Sequence, residues 1–185
     1  MKKLLLIFCI SIFFPLSCAA GSFYQPTYHF GFNYPDSWQA SANHYSYRFL
    51  TLHSTFSYLE NTYNSTIYFS LQIDDARTFI ATTAANNPQL LLDYMTEDVL
   101  TTTNNSCEIT QATIQTLNGI DCFIVKYNYI IEENEQLEHK QEQIVYLVHN
   151  GLVHRLFFTT VDADYFFVSD WQQILARYTQ GLANA

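Results

Sequence analysis

The Asn150-Gly151 step constrains the fold of this chain most strongly, because the two segments that it joins are apolar on both sides. An Asn-Gly pair favours a two-residue β-hairpin turn and so sets the cross-strand register. The register predicts three apolar pairs, two on one face and one on the other: Val148 with Val153, Ile144 with Phe157, and Val145 with Leu156. An antiparallel ribbon with one solvent-exposed side has alternating apolar and polar residues along each strand. We therefore expect helices to cover both sides of this ribbon.

Aromatic and β-branched runs elsewhere predict further strands and one central helix. The predicted strands are residues 29–34, 47–57, 66–73, 108–117, 120–131, 142–149 and 152–160. Asn87-Pro88 is typical of a helix start, because Asn caps well and Pro suits the first helical position. Leu91, Met95 and Val99 then recur every fourth residue, as one buried stripe requires.

A second helix is predicted near the C-terminus. Ser169-Asp170-Trp171-Gln172 fits a capping box. Four apolar residues follow at helical spacing: Trp171, Ile174, Leu175 and Tyr178. Gly181 is predicted to end the helix, and residues 21–26, residues 74–87 and the tail are predicted to be loose segments. The predicted fold class is α+β, an antiparallel β-sheet flanked by helices on both faces, which is an α/β/α sandwich.

Residues 1–20 have the pattern of an export signal. Lys2 and Lys3 precede an apolar run over residues 4–14, which is too short to span a bilayer permanently, and a small-residue stretch follows. Cleavage near Ala20 predicts a periplasmic or secreted protein with a single domain over residues 21–185. The alternative is an outer-membrane lipoprotein acylated at Cys18, although Pro15 departs from the lipoprotein pattern.

Charge limits the partners of the processed chain. Removing residues 1–20 from 185 leaves 165 residues, with 6 Lys plus Arg against 17 Asp plus Glu, a net charge of −11. Such an acidic protein repels phosphate backbones and anionic lipid headgroups. We expect an unidentified protein or small ligand as partner, no nucleic acid, and membrane attachment only through a lipid on Cys18.

Cys107 and Cys122 are the cysteines of the processed chain, and an exported pair often forms a disulfide. An Asn118-Gly119 hairpin would instead place Cys122 opposite Gln115, about 26 Å from Cys107 at strand rise. A disulfide needs Cα atoms within about 7 Å. Both a bridge and two free thiols stay open at this point.

The order of elements resembles the PsbP, Mog and DcrB-like superfamily. The resemblance rests on Phe-Gly-Phe-Asn-Tyr-Pro-Asp-Ser-Trp at residues 30–38, the mid-chain helix, Leu117-Asn118-Gly119, the Asn150-Gly151 hairpin, and a closing helix with Trp171 and Ile174-Leu175. It covers roughly residues 28–182. The resemblance implies an α/β/α sandwich around an antiparallel sheet.

The resemblance implies that the protein binds a partner or assists assembly. Similar proteins include a photosystem accessory subunit, a nuclear Ran-binding protein, a bacterial envelope protein tied to phage entry and mycobacterial lipoproteins. They share a scaffold with no catalytic signature to carry over, and a fold alone does not choose among such roles. We expect an exported, non-enzymatic binding or assembly protein of the bacterial envelope, with no cofactor.

The residues themselves favour a non-enzyme. No Gly-x-Ser-x-Gly nucleophile elbow occurs. Cys107 and Cys122 are followed or preceded by an acid, which opposes thiolate formation. Spacing selects no pair of carboxylates for glycoside cleavage. A lipid-anchored assembly factor is the alternative function, and a hydrolase without a recognisable motif is the third.

No metal site is predicted. His149 and His154 lie on opposite faces of the predicted ribbon, and His29, His44 and His53 are too far apart in sequence to suggest a shared ion. Asp162-x-Asp164 lacks the glycine and distal glutamate of a calcium loop.

Two groups of residues have both a structural and a binding interpretation. The acids at residues 132, 133, 135 and 138 are predicted to form a solvated hairpin tip, or else a docking surface for a basic partner. Most aromatic residues should fill the core. A minority with polar neighbours could instead form a binding face for a protein or glycan: Tyr24, Tyr28, Tyr45 and Tyr47.

Overall fold

The computed structural model describes residues 20–58, 61–74, 76–133, 136–161 and 168–185. In chain order the strands before the helical segment are β1 (Ala20–Gln25), β2 (Phe30–Pro35), β3 (Gln39–Ala42), β4 (Arg48–Tyr58) and β5 (Asn61–Leu71). The remaining elements are α1 (Ala76–Asn86), α2 (Pro88–Thr102), β6 (Cys107–Leu117), β7 (Ile120–Glu133), β8 (Gln136–His149), β9 (Leu152–Val161) and α3 (Val168–Ala183).

Across the described ranges, seven strands form one antiparallel sheet in the order β3-β4-β5-β9-β8-β7-β6, and β1 pairs with β2 separately. The pairing of β5 with β9 joins the N-terminal strands to the C-terminal meander, from Ser65 opposite Thr160 to Leu71 opposite His154. The fold is α+β with a large antiparallel sheet, as the sequence predicted.

Both Asn-Gly hairpins have the predicted register. Asn150 and Gly151 have φ values of 49° and 75°, as a type I′ turn requires. The predicted pairs are all observed: Val148 with Val153, Ile144 with Phe157, and Val145 with Leu156. The other turn sets Leu117 opposite Ile120, with Asn118 and Gly119 also at positive φ.

Alternate residues of the central strands belong to two different apolar clusters. On β8, Val145 and Leu147 lie in a cluster that also contains the buried residues of α3, β1 and β2. Ile144 lies in a second cluster with the buried residues of α1 and α2. The predicted helical stripes are buried in these clusters: Leu91, Met95 and Val99 in the second, and Trp171, Ile174, Leu175 and Tyr178 in the first.

The start of α2 is as predicted, but the segment before it is a helix rather than a loose connection. The Asn87 side chain caps α2 by accepting from the backbone N–H of Leu90 at 3.3 Å. Helix α1 occupies residues that the sequence assigned to a connection. Its buried residues are Ile80 and Thr83, so its sequence has almost no apolar stripe to detect.

Strands β1 and β3 were also missed. Residues 21–26 were expected to be loose, yet β1 pairs with β2 over its whole length and buries Phe23 and Gln25. All four residues of β3 are exposed, so hydrophobic periodicity could not have revealed that edge strand.

The prediction that Gly181 ends the last helix was wrong, because α3 continues to Ala183. A Cβ atom on Gly181 would collide with the carbonyl oxygen of Gly31 in β2. The glycine therefore allows a close approach between helix and strand and does not act as a stop signal. The start also differs, since Ser169, the predicted cap, lies inside a helix that begins at Val168.

Candidate binding surface

Strands β4 and β5 bury one side of the sheet and leave the other side partly open. Leu50 and Leu52 are buried, whereas the intervening Thr51 is half-buried and His53 is exposed. This alternation is typical of an antiparallel sheet with one solvent-exposed face. The exposed or half-buried side, here called the open face, consists of Arg48, Thr51, His53, Thr66 and Tyr68.

Two arginines at the open face each contact one of two stacked aromatic rings. The Arg48 guanidinium carbon lies 4.6 Å from the centre of the Tyr68 ring, and that of Arg155 lies 5.6 Å from the centre of the Phe157 ring. Tyr68 and Phe157 are cross-strand partners whose ring centres are 6.0 Å apart at an interplanar angle of 16°. Each arginine thus gains a cation–π contact with one ring of the aromatic pair.

The same two arginines lie on one side of the sheet. Ser70 is the Cα partner of Arg48 on β4 and of Arg155 on β9. Directly paired residues share a face, so the two arginine Cα atoms are about 10 Å apart, two strand spacings.

Neither guanidinium has an acidic partner within the described ranges. The ion pair found there joins Lys140 to Glu138 at 3.8 Å. The sequence has 17 Asp plus Glu and 8 Lys plus Arg, yet in the described part of the chain these two arginines contact aromatic rings rather than carboxylates. Arg155 makes one side-chain hydrogen bond with Tyr146, and the other N–H donors of the two guanidinium groups remain available to a ligand.

A surface depression of about 420 Å³, here called the Arg155 pocket, borders the open face. Its lining includes Tyr47, Ser70, Ile73, Tyr146 and Arg155. Burial raises the pKa of Tyr146, while the Arg155 guanidinium opposes that rise through its charge and a side-chain hydrogen bond. The pocket therefore combines a cation, a phenol and exposed apolar surface.

Four exposed tyrosines lie on β1, in the β1–β2 turn and in the loop that leads into β4. These residues, here called the tyrosine end, are Tyr24, Tyr28, Tyr45 and Tyr47, with exposures of 55%, 36%, 102% and 55%. The Phe23 ring stacks on His44 with ring centres 5.5 Å apart, which brings the strand of Tyr24 beside the loop of Tyr45. The backbone N–H of Leu71 donates to the Tyr47 carbonyl at 2.9 Å, so Tyr47 lies where β5 ends. The rings are exposed, as the binding-face alternative requires.

A buried carboxylate that the sequence analysis missed lies on the side of the sheet that carries α2. Glu142 is 9% exposed and accepts hydrogen bonds from Tyr127 at 2.6 Å and from Tyr129 at 2.9 Å. Burial, together with the carboxylate, raises the pKa of both tyrosines well above the usual range. Aligning β7 with β8 would have found this cluster, because Tyr127 and Glu142 are cross-strand partners.

His154 is buried beneath α3. Its Nδ1 lies 2.7 Å from the Tyr178 hydroxyl, and burial lowers the pKa of His154 to about 3. The ring is therefore neutral near pH 7 and accepts or donates one hydrogen bond within the core. The register sets His149 opposite Leu152 and His154 opposite Leu147, so the two histidines lie on the same side of the hairpin. The prediction that they point to opposite faces was therefore wrong, because residues of opposite parity share a face across a two-residue turn. His149 also borders a depression beside α1.

The cysteines are free thiols, and the open question of a bridge is answered by the register. Cys122 lies opposite Gln115, as predicted, and Cys107 lies opposite Tyr129. Seven residues of β7 separate the two positions, about 23 Å at strand rise. Burial and the nearby Asp121 raise the pKa of the Cys122 thiol to about 12, which disfavours its thiolate.

The other sequence candidates have ordinary surroundings. Within the described ranges no group of three or more His, Cys, Asp or Glu side chains could hold a metal ion. His53 is hydrogen-bonded to Thr66 at 3.1 Å, and His29 lies 3.4 Å from the Tyr24 hydroxyl. Glu133 pairs with Gln136 near the β7–β8 tip, where the sequence predicted an acidic turn.

Several predictions lie outside the described residues. The export signal with Cys18, the acid at position 135, and Asp162 and Asp164 belong to this group. In the part of the chain that is described, no helix is long and apolar enough to cross a membrane.

The similarity of this chain to known proteins lies in its structure. Neither a protein-family model nor a curated protein sequence matches this chain. A Pseudomonas aeruginosa protein of unknown function is similar over 85% of this chain and 94% of its own, with 13% identity and a TM-score of 0.42. LpqN of Mycobacterium tuberculosis, which is involved in cell envelope biogenesis, is similar over 89% and 83%, with 12% identity and a TM-score of 0.45.

The cyanobacterial PsbP protein of Synechocystis is similar over 89% of this chain and 91% of its own, with 11% identity and a TM-score of 0.50. This chain has a PsbP-like fold. The resemblance predicted from residues 30–38 and the two Asn-Gly hairpins is therefore confirmed as a likeness of fold. The function of a PsbP-like scaffold has to be argued from the surfaces of each chain.

Proposed function

We propose that this PsbP-like chain is an exported, non-enzymatic binding protein that serves assembly in the bacterial cell envelope, in the periplasm or the secreted fraction. The observation that carries the proposal is the tyrosine end, where four phenol rings are exposed and one of them, that of Tyr47, lines the Arg155 pocket. Tyrosine supplies a large contact area at little cost in conformational entropy, and tyrosine and arginine are enriched at protein interfaces. Exposed aromatic groups of this kind are typical of binding surfaces.

We also infer that the scaffold is an α/β/α sandwich over its central strands. Residues of opposite parity on β8 join clusters with different helices, α3 in one and α1 with α2 in the other. Since side chains alternate across a strand, this separation supports helices on both sides of β7, β8 and β9. The polar open face then lies beyond the helical cover, on β4 and β5.

Site-specific crosslinking tests the binding role. A photo-crosslinking amino acid is placed at Tyr45 of the full chain in its native cell, and at Glu97 as a control exposed on α2. The proposal predicts one reproducible adduct from position 45 in the exported fraction and none from position 97. Adducts of equal yield and identity at both positions, or none at either, would contradict it.

Export and anchoring are tested by mass spectrometry of the intact processed protein. Cleavage near Ala20 without added mass supports a periplasmic or secreted protein. A diacylated Cys18 at the N-terminus would support the lipid-anchored assembly factor. Catalytic activity that disappears on replacing one acid or hydroxyl would favour the hydrolase alternative over both.

A further inference from the structure

We propose that Arg48 and Arg155 form a binding site for an oxyanion group, a carboxylate or a phosphate, at the border of the open face. This inference deepens the proposed function, because the Arg155 pocket adjoins the tyrosine end through Tyr47. The anion site itself depends only on the arginines and their surroundings.

The arginines are held in place and keep most of their N–H donors, since Arg155 uses one with Tyr146. Each guanidinium lies over an aromatic ring, and the two rings are stacked on one another. A guanidinium that stacks on a ring interacts through its face, so the N–H groups on its edge stay available for a planar or tetrahedral oxyanion. Stacking also reduces the side-chain entropy that binding would otherwise remove.

The pocket offers contacts for the rest of such a ligand. The Tyr146 hydroxyl adjoins Arg155, and Tyr47 and Ile73 expose 55% and 68% of their surface at the rim. Its volume of about 420 Å³ lies in the range of small-ligand sites. We therefore expect an oxyanion attached to an apolar or ring-shaped body rather than a bare inorganic ion as the natural occupant.

Acidic groups near the pocket limit the affinity. Asp74 lies in the lining, but its two oxygens already accept hydrogen bonds from the backbone N–H of Ala76 at 3.1 Å and from Gln72 Nε2 at 2.7 Å. Asp98 adds a negative charge near Tyr146. Together with the net charge of −9, these groups should weaken the binding of an isolated small anion.

Titration by NMR tests the site. Isotope-labelled protein in its processed, exported form is titrated with inorganic phosphate and with acetate, each against chloride at equal ionic strength. We expect saturable shifts of the Arg48 and Arg155 side-chain N–H signals and of the Ser70 amide. Tighter binding of phosphate would assign a phosphoryl group to the ligand, and tighter binding of acetate a carboxylate. Shifts that chloride reproduces, or that do not saturate, would overturn the proposal.

Matched variants separate a site from a general charge effect. Arg155→Gln should weaken phosphate or acetate binding at least tenfold, and Arg155→Lys, which keeps the charge and loses the planar fork, should weaken it several-fold. Arg177→Gln removes the same charge from α3 and should leave binding unchanged. Equal weakening by Arg177→Gln would overturn the site. A saturable anion site without adducts at position 45 would instead count against the proposed function alone.

Discussion

The indole Nε1 of Trp38 donates a hydrogen bond to the Asp170 carboxylate at 3.1 Å, across 132 residues of sequence. The Ser37 hydroxyl donates to the same oxygen at 3.2 Å. Asp170 lies in the first turn of α3, where a negative charge also interacts favourably with the helix dipole. The Tyr-Pro-Asp-Ser-Trp turn that carried the family resemblance thus attaches to the start of the closing helix.

Replacing Asp170 with Ala should lower the free energy of unfolding by about 1–2 kcal/mol, because two hydrogen bonds to a charged acceptor and a dipole interaction are lost together. Chemical denaturation of the variant and the wild type measures the change. Asp93→Ala, which removes an exposed acid paired with Gln89 inside α2, is the control and should change stability by less than about 0.5 kcal/mol. Equal effects of the two substitutions would remove the special role of Asp170.

Gly181→Ala should destabilise the protein by about 2 kcal/mol or more, because the added methyl group meets the Gly31 backbone rather than a movable side chain. The neighbouring Gln180→Ala is an exposed control in the same helix and should be nearly neutral. Thermal unfolding of both variants checks the expectation. A stabilising Gly181→Ala, as expected for an ordinary helix interior, would show that the close contact with β2 is absent.

Tyr127→Phe should cost about 1–3 kcal/mol, since it removes one of the two donors to the buried Glu142 carboxylate. Thr116→Val removes a similar donor to the exposed Asp121 and should cost less than about 0.5 kcal/mol. Urea denaturation curves compare the two. If Tyr127→Phe is as mild as the control, water must already reach Glu142.

Acid should destabilise the protein through His154. The pKa of His154 is about 3 in the folded protein and near 6.5 in the unfolded chain, so between these values the unfolded state binds a proton that the native state does not. The stabilisation linked to the lowered pKa of His154 is complete above pH 6.5 and is lost as the pH falls toward 3.

His154→Gln should therefore reduce the fall in unfolding free energy between pH 6 and 4.5 by up to about 1.4 kcal/mol per pH unit. His53→Gln, at an exposed position, is the control and should leave the slope unchanged. A variant with the wild-type slope would place the acid sensitivity elsewhere.

Local signals in the sequence predicted the hairpins and the two amphipathic helices well. Asn118-Gly119 and Asn150-Gly151 each set a register, and Asn87-Pro88 marked the start of α2. Such local signals do not predict which strands pair when they are far apart in sequence. Nothing in β5 or β9 alone specifies that Tyr68 meets Phe157, and so the arginine-flanked open face could not be foreseen.

The misses among elements have a common physical cause. Helix α1 has almost no buried stripe, β3 has none, and β1 begins at Ala20, the last residue of the predicted leader. Tertiary contacts stabilise such elements without leaving a periodic pattern in the sequence. The exposure of Tyr24, Tyr28, Tyr45 and Tyr47 agrees with their polar neighbours in sequence, and the binding role of these rings stays a prediction.

The central claim, that the tyrosine end binds an envelope partner, is tested most directly by the yield of that partner's crosslinked adduct. The yield is compared among wild type, a Tyr24→Ser and Tyr47→Ser double variant, and a Phe79→Ser and Tyr94→Ser double variant, all with the crosslinker at position 45. Phe79 and Tyr94 are exposed rings on α1 and α2 and provide the matched control. We predict at least a tenfold loss of adduct in the first double variant and wild-type yield in the second. Undiminished adduct in the first double variant would contradict the account.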